Sequence, residues 1–185
     1  MTGKEAAEAL LHREGIYDVR VEYVAGNLTD HYDPRSKVLR LSDATYQQTS
    51  VAAIGVAAHE CGHAIQHARG YAPLSIRSAL VPVANFGSSI AWPLIIIGLI
   101  MNSQTSQLFL NLGVIAFSMA VLFQIVTLPV EFNASARALR MLDETGIMGK
   151  QEIRGTKKVL RAAAMTYVAA VIGSLLQLLR LLILS

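Results

Sequence analysis

His59-Glu60-Cys61-Gly62-His63 lies inside an apolar run covering residues 51–68. Residues four apart on a helix share a face, one turn above the other. His59 and His63 therefore offer two imidazole nitrogens to one point in space. Glu60, beside them, is placed to take a proton from a metal-bound water, the logic of the H-E-x-x-H pattern. A catalytic zinc commonly takes three protein ligands and keeps one position open. Two of the three are in this stretch.

The third must come from elsewhere. His67 lies another four residues on, but on a straight helix it stands about 12 Å from His59, too far for bonds of about 2 Å. A third histidine six residues beyond His63 would mark a metzincin, and position 69 is Arg. Among the downstream acids, Asp143, Glu144 and Glu152 sit among polar residues, as solvated acids do. Glu131 directly follows Leu128-Pro129-Val130 and precedes Phe132. An ionised carboxylate among apolar neighbours needs a positive partner. Zinc would supply that charge, and so would a lysine or lipid headgroups, and the residues alone leave both open.

The 185 residues are 53% hydrophobic, and the excess lies in the second half. Residues 79–101, 108–130 and 162–184 are each long and apolar enough to cross a bilayer as a helix. The single charge within them is Arg180, near the end of the last, where its stem can snorkel. Pro82, Pro93, Gly87 and Gly98 are tolerable in such a span, because neighbouring helices satisfy the freed backbone groups. The loop 101–107 carries no charge, whereas Arg69, Arg77 and seven Lys/Arg within 137–161 flank the opposite ends of the spans. The positive-inside rule makes that side cytoplasmic. A basic segment at 137–161 suits an anionic membrane surface. One cysteine, Cys61, excludes an internal disulfide and fits a reducing compartment. The net charge of +3 and the lack of aromatics interleaved with basic residues argue against nucleic acid.

The first 15 residues are polar and rich in Glu, unlike a secretory signal peptide. Thr2-Gly3-Lys4-Glu5 reads as a capping box opening a helix that buries Ala6, Ala9, Leu10 and Leu11 and stops at Gly15. Residues 19–23 alternate as a half-buried strand, and Asp33-Pro34-Arg35-Ser36 reads as a turn. Lys37-Val38-Leu39-Arg40-Leu41 reads as a second strand, and a free edge there would let an extended substrate pair its backbone. His31 is a candidate to stabilise an oxyanion. The fold expected is a mainly α membrane protein. A small α+β cytoplasmic unit (1–78, its strands and helices ending near residue 70) carries the H-E-x-x-H helix. Transmembrane helices follow at 79–101, 108–130 and 162–184, with a cytoplasmic helical segment at 131–161.

His59-Glu60-Cys61-Gly62-His63-Ala64-Ile65-Gln66, His31-Tyr32-Asp33-Pro34-Arg35-Ser36-Lys37-Val38-Leu39-Arg40-Leu41-Ser42 and Leu128-Pro129-Val130-Glu131-Phe132-Asn133-Ala134-Ser135 together resemble the YugP-like family of membrane zinc metallopeptidases. The resemblance extends over essentially the whole chain, including Tyr71-Ala72-Pro73-Leu74. The layout, two spans between the motif and a distal Glu, is similar to that of HtpX-type membrane gluzincins. The resemblance implies His59, His63 and Glu131 as zinc ligands, with Glu60 as base. Members usually carry Asp where this chain has Asn133; an Asn there still hydrogen-bonds behind a ligand but carries no charge. Members also usually begin with a further transmembrane helix ahead of position 1, so a shortened form or an upstream start is expected.

The activity expected is zinc-assisted hydrolysis of peptide or membrane-protein substrates at the cytoplasmic face of a bacterial plasma membrane, with the lipid bilayer as the other partner. A site-2-type intramembrane protease fits poorly, because Leu142-Asp143 is followed by Glu144 rather than Gly. The non-enzymatic alternative is a membrane scaffold or channel with a structural or vestigial zinc site. Structural zinc sites usually close with four ligands, and no fourth His or Cys has suitable spacing.

Overall fold

Thr2 and Glu5 open the first helix by exchanging hydrogen bonds: the Glu5 amide donates to Thr2 Oγ1 (3.2 Å), and the Thr2 amide to Glu5 Oε2 (2.8 Å). The computed structural model describes residues 1–101 and 105–184, so the uncharged loop 101–107 lies partly outside the described residues. Chain order is α1 (Gly3–Arg13), β1 (Arg20–Tyr23), β2 (His31–Asp33), β3 (Val38–Leu41), α2 (Val51–Ala68), α3 (Ala72–Ile100), α4 (Ser106–Thr145) and α5 (Lys150–Leu184). The chain is mainly helical with one small sheet, as its composition and periodicity predict. In α1 the buried stripe is Gly3, Ala6, Ala7, Leu10 and Leu11. Ala9 faces out, contrary to expectation, because the 3–4 spacing that contains Ala6 and Leu10 selects Ala7 instead.

The sheet order is β1-β3-β2, with β1 parallel and β2 antiparallel to β3. Asp33 ties the β2–β3 turn, accepting from the Arg35 amide (3.0 Å) and the Ser36 hydroxyl (2.6 Å). Lys37 takes φ +52°, the left-handed region, so it closes the turn and the strand begins at Val38. The order also overturns the expectation of a free edge at 37–41. β3 is hydrogen-bonded on both sides and has no unpaired ladder to offer.

Ser50 caps α2 by accepting from the Ala53 amide (3.1 Å). Much of α2 is buried nearly all round, from Ala53 to Gln66, which α1 and a three-stranded sheet cannot cover alone. Ala138, Met141, Leu142, Met148 and Leu160 complete its core. One structural unit therefore comprises Met1–Ala72 and Val130–Ala164.

The second unit comprises Pro73–Pro129 and Met165–Ser185. It contains most of the apolar length of α3, α4 and α5, the three helices long and apolar enough to cross a membrane. Phe86, Ile100, Leu176 and Ile183 are exposed on them. Small residues let α3 and α4 approach within this unit: a Cβ on Gly87 would lie 2.6 Å from the Ala116 carbonyl oxygen.

Candidate active site

Helix α2 carries His59, Glu60 and His63, and α4 carries Glu131, 68 residues further along the sequence than His63. The two helices touch at Gly62, where an added Cβ would stand 2.5 Å from the Ala134 carbonyl oxygen. Only a residue without a side chain permits that approach. It brings His59 Nε2 to 3.2 Å and His63 Nε2 to 3.6 Å from Glu131 Oε2. The two imidazoles meet edge to face with ring centroids 4.8 Å apart. His63 and Glu131 are buried, at 8% and 4% exposure.

Behind each imidazole stands a polar partner. His59 Nδ1 lies 3.1 Å from Ser135 Oγ, and Ser135 is one turn beyond Glu131 on α4. His63 Nδ1 lies 3.0 Å from Gln66 Oε1. The Gln66 amide donates to the Val130 carbonyl (2.8 Å) and to Asn133 Oδ1 (3.0 Å). Burial drives the His63 pKa down, but the hydrogen bond to Glu131 and the charges of Glu60 and Glu131 outweigh it and leave it above the ordinary value. The pocket therefore favours positive charge.

The donor set suits zinc. One atom from each of His59, His63 and Glu131 lies within 4.8 Å of the others, and two imidazole nitrogens with one carboxylate oxygen are zinc ligands of ordinary type. Two ligands at about 2.0–2.1 Å from a tetrahedral zinc are about 3.3 Å apart, close to the distances from Glu131 Oε2 to the two imidazoles. Glu60 is 8% exposed, and among the described residues nothing hydrogen-bonds its carboxylate.

The other residues singled out in the sequence lie away from this cluster or behind it. His67 Nδ1 pairs with the Tyr32 hydroxyl (2.9 Å), consistent with its rejection as a ligand. Burial pushes that hydroxyl up to about 12, so it stays protonated. His31 is exposed and uses both ring nitrogens, Nδ1 with the Thr29 carbonyl (2.7 Å) and Nε2 with Arg40 Nη1 (3.3 Å). Arg40 can only donate, so Nε2 accepts and no N–H remains for an oxyanion; that expectation is corrected. Asn133 stands two bonds removed, behind Gln66. Cys61 is fully buried, and burial pushes its thiol up, so it is not a nucleophile. Sequence reasoning passed over Gln66 and Ser135 as site residues. Their signals were a polar residue three positions after His63 on an apolar helix, and a hydroxyl four positions after Glu131.

An H-E-x-x-H helix with a convergent carboxylate, in a chain with three membrane-length helices, has the make-up of a membrane zinc metallopeptidase. The chain belongs to the family described as "Putative neutral zinc metallopeptidase", whose model matches residues 1–185. It is 49% identical over 179 residues to the "Putative membrane protease YugP" of Bacillus subtilis (strain 168), which covers 97% of this chain and 78% of that protein. No solved structure matches it. The protein is an integral membrane protein associated with the lipid bilayer, and its cofactor is zinc.

Proposed function

We propose that the protein is a membrane-embedded zinc metallopeptidase of gluzincin type that hydrolyses peptide bonds near the cytoplasmic membrane surface. The observation that carries this reading is the convergence of His59 Nε2, His63 Nε2 and Glu131 Oε2 beside Glu60. His59, His63 and Glu131 would hold the zinc, which when bound supplies Lewis-acid activation of water and of a peptide carbonyl. Glu60 accepts a proton from the attacking water as the new C–O bond forms. It returns that proton to the amine nitrogen as the C–N bond breaks. Gly62 keeps α4 close enough for Glu131 to complete the set.

The cytoplasmic assignment rests on the basic residues that flank one end of the spans. Glu131 directly follows the apolar run 108–130, so membrane proteins and membrane-bound segments are the substrates to test first. Backbone pairing with an extended substrate is assigned to β2, an outer strand tied to α2 through Tyr32 and His67.

The test measures zinc content and cleavage of an unfolded membrane-protein substrate for wild type, Glu60→Gln and Glu131→Ala. Glu60→Gln should keep zinc and lose about 10²–10⁴-fold in rate, the usual worth of a general base. Glu131→Ala should lose both zinc and activity. Undiminished cleavage by Glu60→Gln rejects the mechanism, and full zinc occupancy in Glu131→Ala rejects the third ligand.

A further inference from the structure

Arg137 Nε donates to Asn133 Oδ1 at 2.8 Å. A guanidinium can only donate, so the atom it meets is the amide oxygen of Asn133. Gln66 approaches that same oxygen at 3.0 Å and the Val130 carbonyl at 2.8 Å. Both partners only accept, so the Gln66 atom between them must be the NH₂ group. The other end of the amide, Oε1, then faces His63 Nδ1 at 3.0 Å. An amide oxygen cannot donate, so Nδ1 carries the proton. In the neutral ring, the lone pair therefore sits on Nε2, the atom that faces Glu131.

Gln66 is fully buried, so its amide is held in one orientation. No water competes for its amide, and turning it over would set Oε1 against two acceptors in a dry site, a costly arrangement. Spacing makes the relay possible. Gln66 is three residues beyond His63 on α2, and Arg137 is four beyond Asn133 on α4, so each pair shares a helix face. Arg137 is itself held at the end of α2, its guanidinium 5.8 Å from the Tyr71 ring centroid.

We propose that Gln66 is a positioning residue that fixes His63 in the Nδ1–H form, and that Asn133 and Arg137 hold the Gln66 amide in the orientation that does so. The inference rests on reading His63 as a metal ligand. It explains why Asn serves at position 133: only an acceptor oxygen is used there, which a carboxylate would supply equally. It also explains the pull toward a cation. With Nδ1 protonated, the Nε2 lone pair is the one free to bind a positive ion beside the Glu131 carboxylate.

The test uses the full chain in detergent, with zinc affinity measured by chelator competition and the absorption spectrum of the cobalt(II)-loaded protein as a readout of ligand geometry. Gln66→Met keeps length and apolar packing but removes the relay. It should bind zinc about 10–100-fold more weakly, the usual worth of a partner behind a ligating histidine, with an altered cobalt spectrum and a retained thermal transition. Asn133→Asp should stay near wild type, whereas Asn133→Leu should lose affinity. A folded Gln66→Met with wild-type affinity and spectrum overturns the proposal. Should Gln66→Met fail to fold, the Asn133 pair decides: equal affinities in Asp and Leu overturn it, and loss confined to Leu supports it. A wild-type protein that binds no zinc removes the His63 reading itself, a result distinct from failure of the relay.

Discussion

Gly62→Ala perturbs the site without touching any group that does chemistry. The added methyl carbon would lie 2.5 Å from the Ala134 carbonyl oxygen and 3.0 Å from Ala134 Cα. Carbon–oxygen contacts settle at about 3.3–3.6 Å, so α2 and α4 must part by about 0.9 Å. Glu131 and Ser135 flank Ala134 on α4 and move with it. The 3.2 Å separation of His59 Nε2 and Glu131 Oε2 then grows toward about 4 Å, the limit at which bonds of about 2 Å can still share one ion. Overpacking costs about 1–3 kcal/mol, against about 1 kcal/mol regained because Ala favours a helix over Gly. Overall stability should fall by no more than about 2 kcal/mol. Zinc affinity should fall at least tenfold, or about 1.4 kcal/mol. Chelator competition measures the affinity, and thermal unfolding in detergent measures the stability. Gly155→Ala is the control, since its Cβ would meet only Val51 Cγ1 at an ordinary 3.6 Å. A Gly62→Ala protein with wild-type affinity and activity would refute the claim that this close approach sets the site.

Ser135→Ala removes the partner of His59 Nδ1 and should weaken zinc binding by about tenfold while leaving the fold intact, measured by the same competition. The Ser36 hydroxyl and the Arg35 amide hold the Asp33 carboxyl down to about 2 from 3.8. A depressed carboxyl stabilises the fold above its unfolded value and loses that contribution as pH falls through the folded one. Protection of the β2–β3 turn amides, their exchange relative to the intrinsic rate at the same pH, should therefore fall between about pH 4 and pH 2 in wild type and show no such step in Asp33→Asn. Cys61 should resist alkylation in the native protein and react once unfolded, scored by mass spectrometry; rapid native labelling would contradict its burial.

Local features carried much of this protein into legibility. The i, i+4 spacing of His59 and His63 is a property of any helix, and so placed two donors on one face without a fold. Three uninterrupted apolar runs likewise announced membrane-length helices, because the bilayer sets a length that composition alone can meet. The capping box at Thr2 and Glu5 is equally local. Glu131 was half legible: its apolar neighbours marked it as needing a positive partner, without saying which.

Tertiary structure decided what depends on distant parts of the chain. Strand order cannot be read from alternation, so the sheet alone revealed β3 as its middle and closed the edge expected at 37–41. His31 became unavailable only once Arg40, opposite it across the β2–β3 ladder, claimed its second nitrogen. The proton on His63 is set by Gln66, Asn133 and Arg137, a relay across two helices that no spacing within one helix discloses. Gly62 is the point where these levels meet. In the sequence it is a small residue inside a motif, and in the fold it is the space through which α4 delivers Glu131 to the histidines.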